Sequence, residues 1–133
     1  MKAKNIKVGM QVRIKNNHGN WTSQLVTVVD GIDNYPNTDV KFVIAQFPSG
    51  TYLPYAIDEL AYPKFKVGDK VKIAPTDAMI ADVDSYTHYL NRMYLDDING
   101  NEYIIDGVDQ SDNSICVNDF YWVPMYMCHL VKG

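Results

Sequence analysis

A repeated sequence pattern constrains the fold of this chain more than any other feature. Three blocks of the first half return in the same order in the second half. The paired blocks are 6–14 with 65–73, 27–33 with 103–109, and 52–60 with 122–130. Three collinear matches indicate a tandem duplication, and an internal repeat fixes the architecture before any local signal is considered. We therefore predict two similar units, 1–62 and 63–133.

The length and composition are those of a packed protein. The 133 residues give each unit about 60 to 70 residues, near the lower limit for independent folding, so we expect each half to stabilise the other. Apolar residues make up 47% and charged residues 21%, which argues against a disordered chain. No apolar run reaches the roughly 18 residues of a membrane span, and no secretory leader is visible. We expect a location in the cytoplasm, of its own cell or of a host cell.

Charge is distributed unevenly along the sequence. The net charge of −4 argues against a broad phosphate-binding surface, because non-specific affinity for nucleic acid comes mainly from clustered Lys and Arg. A local basic patch remains compatible with this charge. The basic residues near the start of the chain are Lys2, Lys4, Lys7, Arg13 and Lys15. The stretch from Asp77 to Asp119 is rich in Asp, so one end of the chain is expected to attract anions and the other to repel them.

Short strands separated by turns account for most of each unit. After a turn at Gly9, apolar Met10, Val12 and Ile14 alternate with polar residues, which is the period of a half-buried strand. Further strands are predicted at 24–29, 40–47 and 51–53, with Pro54 ending the last one. The Asp-Gly pairs at 30–31 and 106–107 predict a shared turn. Strands at intervals of about ten residues are typical of a small barrel or sandwich, so the predicted class is all-β.

The same segments carry a resemblance to a known fold family. Each unit opens on [Phe/Ile]-Lys-Val-Gly-x-x-Val-x-Ile and closes on an aromatic-apolar-Pro pattern that leads to a Leu. This combination resembles the Src-homology-3-like small barrels of bacterial and phage proteins, and it covers both halves. The resemblance implies two tandem barrels. The Ala-Leu-Tyr-Asp-Tyr opening and the paired tryptophans of the eukaryotic peptide-binding members are missing, so polyproline recognition is not implied.

The second unit contains an insert at about 75–101. From Ile14 to Thr27 is 13 steps, whereas from Ile73 to Tyr103 is 30, so the second unit has 17 extra residues between its first two strands. Residues 93–98, Asn99-Gly100 and 101–105 predict a β-hairpin with a type I′ turn. Residues 77–92 fit either a short helix or an extended loop. In the barrels that the chain resembles, this loop lies beside the usual binding face, so an enlarged loop is expected to alter recognition.

Aromatic residues are the main candidates for a contact surface. The chain has 10 Tyr and 2 Trp against 4 Phe, and Tyr and Trp are enriched at interfaces because they combine a large rigid area with a polar group. Tyr52 and Trp122 hold the same place in the repeat and are predicted to complete the barrel cores. The predicted partner-binding residues are Trp21, Tyr55, Tyr86, Tyr89, Tyr94, Asp96, Asp97 and Tyr126.

Catalytic and metal-binding patterns are missing from the sequence. The three His lie in different settings, and no Gly-x-Ser-x-Gly elbow, Cys-His signature or phosphate-binding glycine loop is present. Two Cys and three scattered His do not form the spaced pairs of a zinc site. We therefore predict no enzymatic activity, no cofactor and no metal. Cys116 and Cys128 are expected to be buried, reduced thiols.

The leading functional hypothesis is a non-catalytic module that binds a protein partner through an aromatic and acidic surface. Small size and tandem build are typical of accessory proteins of phages and mobile elements. A specific version is an anti-CRISPR-like counter-defence protein that occupies the nucleic-acid channel of a host nuclease. The carboxylates that would mimic phosphates are Asp77, Asp82, Asp84, Asp96, Asp97, Asp106, Asp109, Asp112 and Asp119.

Three alternatives stay open at the level of sequence. Small barrels often bind RNA or DNA through basic strands and aromatic stacking. The candidate contacts for nucleic acid are Lys4, Lys7, Arg13, Lys15, Lys41 and Trp21. A second alternative is a small-ligand sponge with a pocket at the junction of the units or between subunits. A homodimer is also compatible with exposed strand edges and a Tyr-rich surface.

Overall fold

The computed structural model describes residues 1–34, 36–83 and 92–131, with the side chains of residues 82, 83, 92 and 93 excepted. The chain forms two compact units, Met1–Pro63 and Lys64–Gly133. Each unit is built on an antiparallel sheet. The predicted all-β class with two small barrel-like units is confirmed.

The first unit is a sheet of six strands. Its strands are β1 (Gln11–Lys15), β2 (Trp21–Val28), β3 (Asp33–Asn34), β4 (Lys41–Gln46), β5 (Tyr52–Ala56) and β6 (Leu60–Ala61). The order is β5-β4-β2-β1-β6, and β3 pairs with the start of β4. Short 3₁₀ turns occupy Ala3–Asn5 and Ile57–Glu59. The alternation predicted for β1 is confirmed, because Val12 and Ile14 are buried and Gln11, Arg13 and Lys15, which alternate with them, are half-exposed.

The second unit has the same strand order with two helices added. Its elements are β7 (Lys70–Ile73), α1 (Asp77–Val83), α2 (Arg92–Ile98), β8 (Glu102–Asp109), β9 (Ser114–Val117), β10 (Tyr121–Pro124) and β11 (Cys128–Leu130). The sheet order is β10-β9-β8-β7-β11. A 3₁₀ turn at Met125–Met127 precedes β11, as Ile57–Glu59 precedes β6.

The opening turns of the two units are built alike. The Gly9 N–H donates to the Val28 carbonyl at 2.7 Å, and the Gly68 N–H donates to the Ile105 carbonyl at 2.9 Å. The two glycines have φ values of +94° and +97°, in the left-handed region that favours glycine. The structure therefore matches the two copies of the first repeat block in the same way as the sequence repeat does.

The middle repeat block is shifted by one residue at its start. The turn bonds make Val28 the counterpart of Ile105, whereas the sequence repeat pairs Val28 with Ile104. Strand β8 also contains a bulge between Ile105 and Gly107, just after the residues where this shift begins. Asp106-Gly107 thus lies inside a strand, and the shared Asp-Gly turn predicted for both units is wrong.

The closing repeat block is shifted by two residues. Leu60 pairs with Ile14, and Cys128 pairs with Ile73, so Leu60 corresponds to Cys128 and not to Leu130. Trp122 pairs with Cys116 at the place where Pro54 pairs with Ile44. The prediction that Tyr52 and Trp122 share a repeat position is therefore wrong.

Pro54 does not end its strand, contrary to the prediction. The Phe47 N–H donates to the Thr51 carbonyl at 2.8 Å, which fixes the alternation of hydrogen-bonded pairs along β4 and β5. By that alternation the Pro54 nitrogen faces away from β4. A proline at such an edge position removes no bond of the ladder, so the strand continues to Ala56.

The predicted hairpin in the insert is wrong, because its first arm is the helix α2. Leu95 and Ile98 are buried three residues apart, which is a helical spacing. The Asn99 N–H donates to the Leu95 carbonyl at 2.8 Å, and Gly100 follows with φ +84°. Asn99-Gly100 therefore terminates a helix instead of making a hairpin turn. For residues 77–92, which fitted helix or loop, the structure has helix from Asp77 to Val83.

Candidate functional site

Three aromatic rings form a cluster on the second unit. Tyr94 comes from α2, Phe120 from the turn after β9, and Tyr121 from the start of β10. The ring centroids lie 5.7 Å apart for Tyr94 and Phe120, 5.8 Å for Tyr94 and Tyr121, and 5.1 Å for Phe120 and Tyr121. All three pairs meet edge to face, an arrangement that adds to the stability from burial alone. The cluster is thus held as a unit.

Local structure explains why Phe120 projects outward. Asn118 and Asp119 both have positive φ, near +55°, which produces a tight turn between β9 and β10. The Phe120 N–H donates to the Val117 carbonyl at 3.3 Å and closes this turn. The Phe120 side chain is 62% exposed, the second most exposed large apolar residue among the described ones. An apolar ring held in this way is available to a partner.

Carboxylates lie on or next to the elements that carry the three rings. Asp96 and Asp97 are exposed on α2, and Asp97 lies one helical turn after Tyr94. Asp119 directly precedes Phe120, and its N–H donates to Asp106 Oδ2 at 2.8 Å. The aromatic–acidic surface is defined by these residues and the three rings: Tyr94, Asp96, Asp97, Asp106, Asp119, Phe120 and Tyr121.

The sequence around this surface carries charge of one sign. Residues 93–131 contain seven Asp and Glu and no Lys or Arg. Beneath the surface, burial raises the pKa of the Cys116 thiol, and the nearby carboxylates of Asp106 and Asp119 raise it further. The larger contribution to that shift is burial; only the smaller contribution of Asp106 and Asp119 indicates negative charge near Cys116, which favours a positively charged partner.

The predicted contact residues are only partly brought together. Tyr94, Asp96 and Asp97 belong to the aromatic–acidic surface, whereas Tyr126 is half-buried in the 3₁₀ turn before β11. Trp21 and Tyr55 belong to the first unit. Tyr86 and Tyr89 lie outside the described residues.

Phe120 is the exposed ring of this surface that the sequence analysis does not predict. The enrichment of Tyr and Trp at interfaces does not single out this residue, although it follows Asn118-Asp119, a pair of residue types that tolerate left-handed backbone. An apolar ring directly after such a pair is placed at the tip of a turn, and this signal could have identified it.

A second aromatic centre lies on the first unit. The Arg13 guanidinium carbon and the Lys15 ammonium nitrogen each lie 5.0 Å from the centroid of the Trp21 ring. We define these three residues as the cationic–aromatic patch. Of the other basic candidates, Lys4 lies in the 3₁₀ turn Ala3–Asn5 and Lys41 is exposed at the start of β4.

Tyr55 is held close to its own unit. Its ring lies 6.3 Å from that of Phe47, and burial together with the Glu59 carboxylate raises the pKa of its hydroxyl. Glu59 Oε1 accepts the Ala56 N–H at 2.9 Å. Tyr55 therefore presents a neutral phenol group at ordinary pH.

The free edges of β5 and β10 do not favour the addition of a partner strand. The alternation of hydrogen-bonded pairs along β4 and β5 turns the Pro54 nitrogen and the Ala56 N–H away from β4. The Ala56 N–H already donates to the Glu59 carboxylate. In β10 the bond from the Met125 N–H to the Asn113 carbonyl sets the same alternation and turns the Pro124 nitrogen outward. Prolines at outward positions are a common protection of sheet edges. These two edges are therefore protected against strand addition.

Searches for other kinds of site give little within the described residues. Among them, no group of three or more His, Cys, Asp or Glu is arranged to hold a metal ion. No helix of the described parts of the chain is long and apolar enough to cross a membrane. Cys116 and Cys128 are free and buried, as expected.

Neither the scan of protein families nor the search of curated proteins finds a match to this chain.

Proposed function

We propose that this protein is a non-catalytic binding module whose second unit contacts a basic protein partner through the aromatic–acidic surface. The exposed ring of Phe120, held against Tyr94 and Tyr121 beside Asp119, is the observation that carries this proposal. Rigid aromatic side chains give contact energy at low cost in conformational entropy.

Charge complementarity defines the partner's chemistry. Carboxylates that flank aromatic rings suit the side chains of Arg and Lys, since the cation can lie on a ring face while its N–H groups pair with carboxylate oxygens. The acidic segment 93–131 would repel acidic partners. The proposed interface is therefore a basic patch with one or more exposed Arg.

The fold family of the two units is also a proposal, beyond their all-β class. We infer that both units are Src-homology-3-like barrels. The shared strand order and the 3₁₀ turn before the last strand of each unit support this reading.

A phage or mobile-element protein that acts in a cytoplasm and blocks a basic nucleic-acid channel is one specific case of the proposed function. In that case Asp96, Asp97 and Asp119 would occupy places where the channel binds phosphates. Such an interface would be steeply weakened by salt, because surface charges are screened over about 8 to 10 Å at physiological ionic strength.

Quantitative affinity capture from an extract of the native host tests the proposal. The full chain and its Phe120→Ala variant are compared, with Tyr52→Ala as the matched control, because Tyr52 is 59% exposed and lies in the first unit. A partner that is retained by the native chain and by Tyr52→Ala, but lost with Phe120→Ala, is the expected result. Equal retention by all three proteins would contradict the proposal.

Salt dependence then separates the electrostatic part of the proposal from the aromatic part. For a captured partner, the affinity is measured by titration calorimetry at 50 and 300 mM salt with the native chain and with Asp97→Asn and Asp119→Asn. A decrease in affinity with salt that is smaller in the two variants supports acidic recognition. Salt-insensitive binding would remove phosphate mimicry and leave only the aromatic contact.

A further inference from the structure

The first two strands of the chain have the opposite charge character from the aromatic–acidic surface. Residues 1–29 contain five Lys and Arg and no Asp or Glu, so Asp30 is the first carboxylate of the chain. Strands β1 and β2 both lie in this segment. No carboxylate of their own sequence therefore neutralises the cations that these strands present.

The β1–β2 turn places Trp21 opposite Lys15. The side chain of Asn16 accepts the N–H groups of His18 at 2.9 Å and Asn20 at 3.0 Å, and Gly19 adopts a φ of +77°. This local network closes a tight turn, and Lys15 then pairs with Trp21 across the strands. Arg13 lies two residues before Lys15 and so on the same face of the sheet.

The Arg13 side chain is fixed in its orientation. Its Nε donates to the Tyr62 carbonyl at 2.9 Å, so one of the five guanidinium donors is committed to the fold. The donors on the two Nη atoms can still pair with an anion, and the geometry of a guanidinium suits a phosphate. Lys15 adds a second positive charge against the same ring, also at 5.0 Å from its centroid.

The Trp21 ring remains accessible between these cations. Its side chain is 42% exposed, although two cationic side chains lie against it. An indole that is partly open to solvent and flanked by cations matches the two needs of unpaired nucleotides. Their bases stack on aromatic side chains and their phosphates pair with Lys and Arg.

We propose that the cationic–aromatic patch binds single-stranded nucleic acid, with a base on Trp21 and neighbouring phosphates on Arg13 and Lys15. An unpaired strand is favoured over a duplex because duplex bases are already stacked on one another and cannot reach the indole. Two cations also neutralise too few phosphates for tight duplex binding. This site is independent of the protein-binding surface proposed for the second unit.

Fluorescence anisotropy with the full chain and end-labelled oligonucleotides tests this site. The probes are a twelve-nucleotide oligo-dT, the matching oligo-U and a twelve-base-pair duplex, at 50 and 200 mM KCl. We expect saturable single-strand binding with a Kd below about 100 µM, the range of weak non-specific complexes. The duplex should bind more weakly than either single strand.

Variants separate the stacking contribution from the charge contribution. Trp21→Ala should weaken single-strand binding about tenfold, whereas Trp21→Phe should retain most of it. Lys15→Gln should reduce the slope of log K against log salt by about 0.7, the value for one phosphate contact on a single strand. The matched controls are Tyr52→Ala, an exposed aromatic of the same unit, and Lys70→Gln, an exposed cation of the second unit.

Each contrary result overturns the proposal. Absence of saturable binding up to about 100 µM at 50 mM KCl would exclude the site. An equal loss of affinity for single strands in Trp21→Ala and Tyr52→Ala would show that the cationic–aromatic patch is not the binding site. If inorganic polyphosphate competes as well as oligo-dT and Trp21→Ala has no effect, the patch is a plain anion-binding surface and the stacking role is wrong. Circular dichroism melting curves confirm that each variant remains folded.

Discussion

The segments 1–29 and 93–131 belong to units of the same strand order but have opposite surface chemistry. The first contains five cations and no carboxylate, and the second contains seven carboxylates and no Lys or Arg. Each holds an exposed aromatic centre, at Trp21 in one and at Phe120 in the other. The two sheets thus share a strand order, whereas the charge around their exposed rings differs in sign. Because a fold alone does not select a partner, the two proposed functions rest on this difference in charge.

Several buried positions of the first and last strands are matched between the two units. Val12 and Val71 are both fully buried at matched places in β1 and β7, and so are the core positions of Ile14 and Ile73. There are two exceptions at matched places: Asp69 corresponds to the fully buried Met10, and Cys128 takes the place of Leu60. Buried cysteine behaves as a small apolar residue, so this replacement preserves the core.

The largest expected effect concerns the reactivity of the two thiols. Burial raises the pKa of the Cys128 thiol, and Cys116 is also raised but remains slightly exposed. Since the thiolate is the reactive form, we expect Cys128 in the folded chain to react with iodoacetamide at pH 8 about a hundredfold more slowly than in urea, or slower still. Mass spectrometry of time points measures both rates.

The pH dependence of these thiols has a definite sign. A thiol with a raised pKa stabilises the fold fully below the pKa of the unfolded thiol, near 8.5, and this contribution is lost as pH rises toward the folded pKa. Between about pH 8.5 and 11, the free energy of unfolding should therefore decrease less in Cys128→Ala than in the native chain. Fast labelling of native Cys128 would show that its matched place with Leu60 is not a core position.

Helix α2 distinguishes the second unit from the first, and truncation of its buried side chain is expected to have the next largest effect. Leu95 is fully buried, so Leu95→Ala should lower the free energy of unfolding by about 3 kcal/mol, a typical value for such a truncation. Asp96→Ala, on the exposed side of the same helix, should change it by less than about 0.5 kcal/mol. Urea unfolding followed by circular dichroism measures both. Similar small changes in the two variants would mean that the insert is not part of the core.

The success of sequence reasoning depended on how local each signal was. The opening Lys-Val-Gly turns were predictable because Gly9 and Gly68 meet a requirement set by their own φ values. Asn99-Gly100 was misread because the same pair serves a hairpin turn or a helix end, and only the burial of Leu95 and Ile98 decides between them. The structural correspondence of the units departs from the sequence repeat by one residue in the middle block and by two in the closing block. Bulges and loop lengths can change in this way without altering the sequence pattern.

The aromatic–acidic surface was predictable in part for the same reason. Asp96, Asp97 and Tyr94 were found from composition, but the partners of Tyr94 come from a turn and strand more than 20 residues later. Contacts over such a separation depend on the tertiary fold, so Phe120 could not be joined to Tyr94 from sequence alone. The pairing of Trp21 with Arg13 and Lys15 depends similarly on the register of β1 with β2.

Matched glycines in the two opening turns give a smaller and more direct test of structural equivalence. Gly9→Ala and Gly68→Ala should each lower the free energy of unfolding by about 1 to 2 kcal/mol, because a Cβ is disfavoured in the left-handed region. Gly31→Ala is the control, since no positive φ and no close neighbour constrain it. Thermal and urea unfolding of the three variants measures these changes. Very different losses of stability for Gly9→Ala and Gly68→Ala would show that the two opening turns are not equivalent.

The smallest expected effect is at Asp109, which occupies the place of Asp33 because the two residues pair with matched positions of β9 and β4. Asp109 Oδ1 accepts the N–H of Ser111 at 2.9 Å and its hydroxyl at 2.6 Å, and these hydrogen bonds lower the pKa of the carboxyl group. A lowered pKa stabilises the fold above the unfolded value, near 3.9, and the contribution is lost as pH falls through the folded pKa. Asp109→Asn should therefore lower the melting temperature slightly at pH 7 and have almost no effect near pH 2. Asp33, whose Oδ1 accepts the Asn34 N–H at 2.8 Å, is the matched control, and a larger decrease at pH 7 for Asp33→Asn would show that this turn does not distinguish the units.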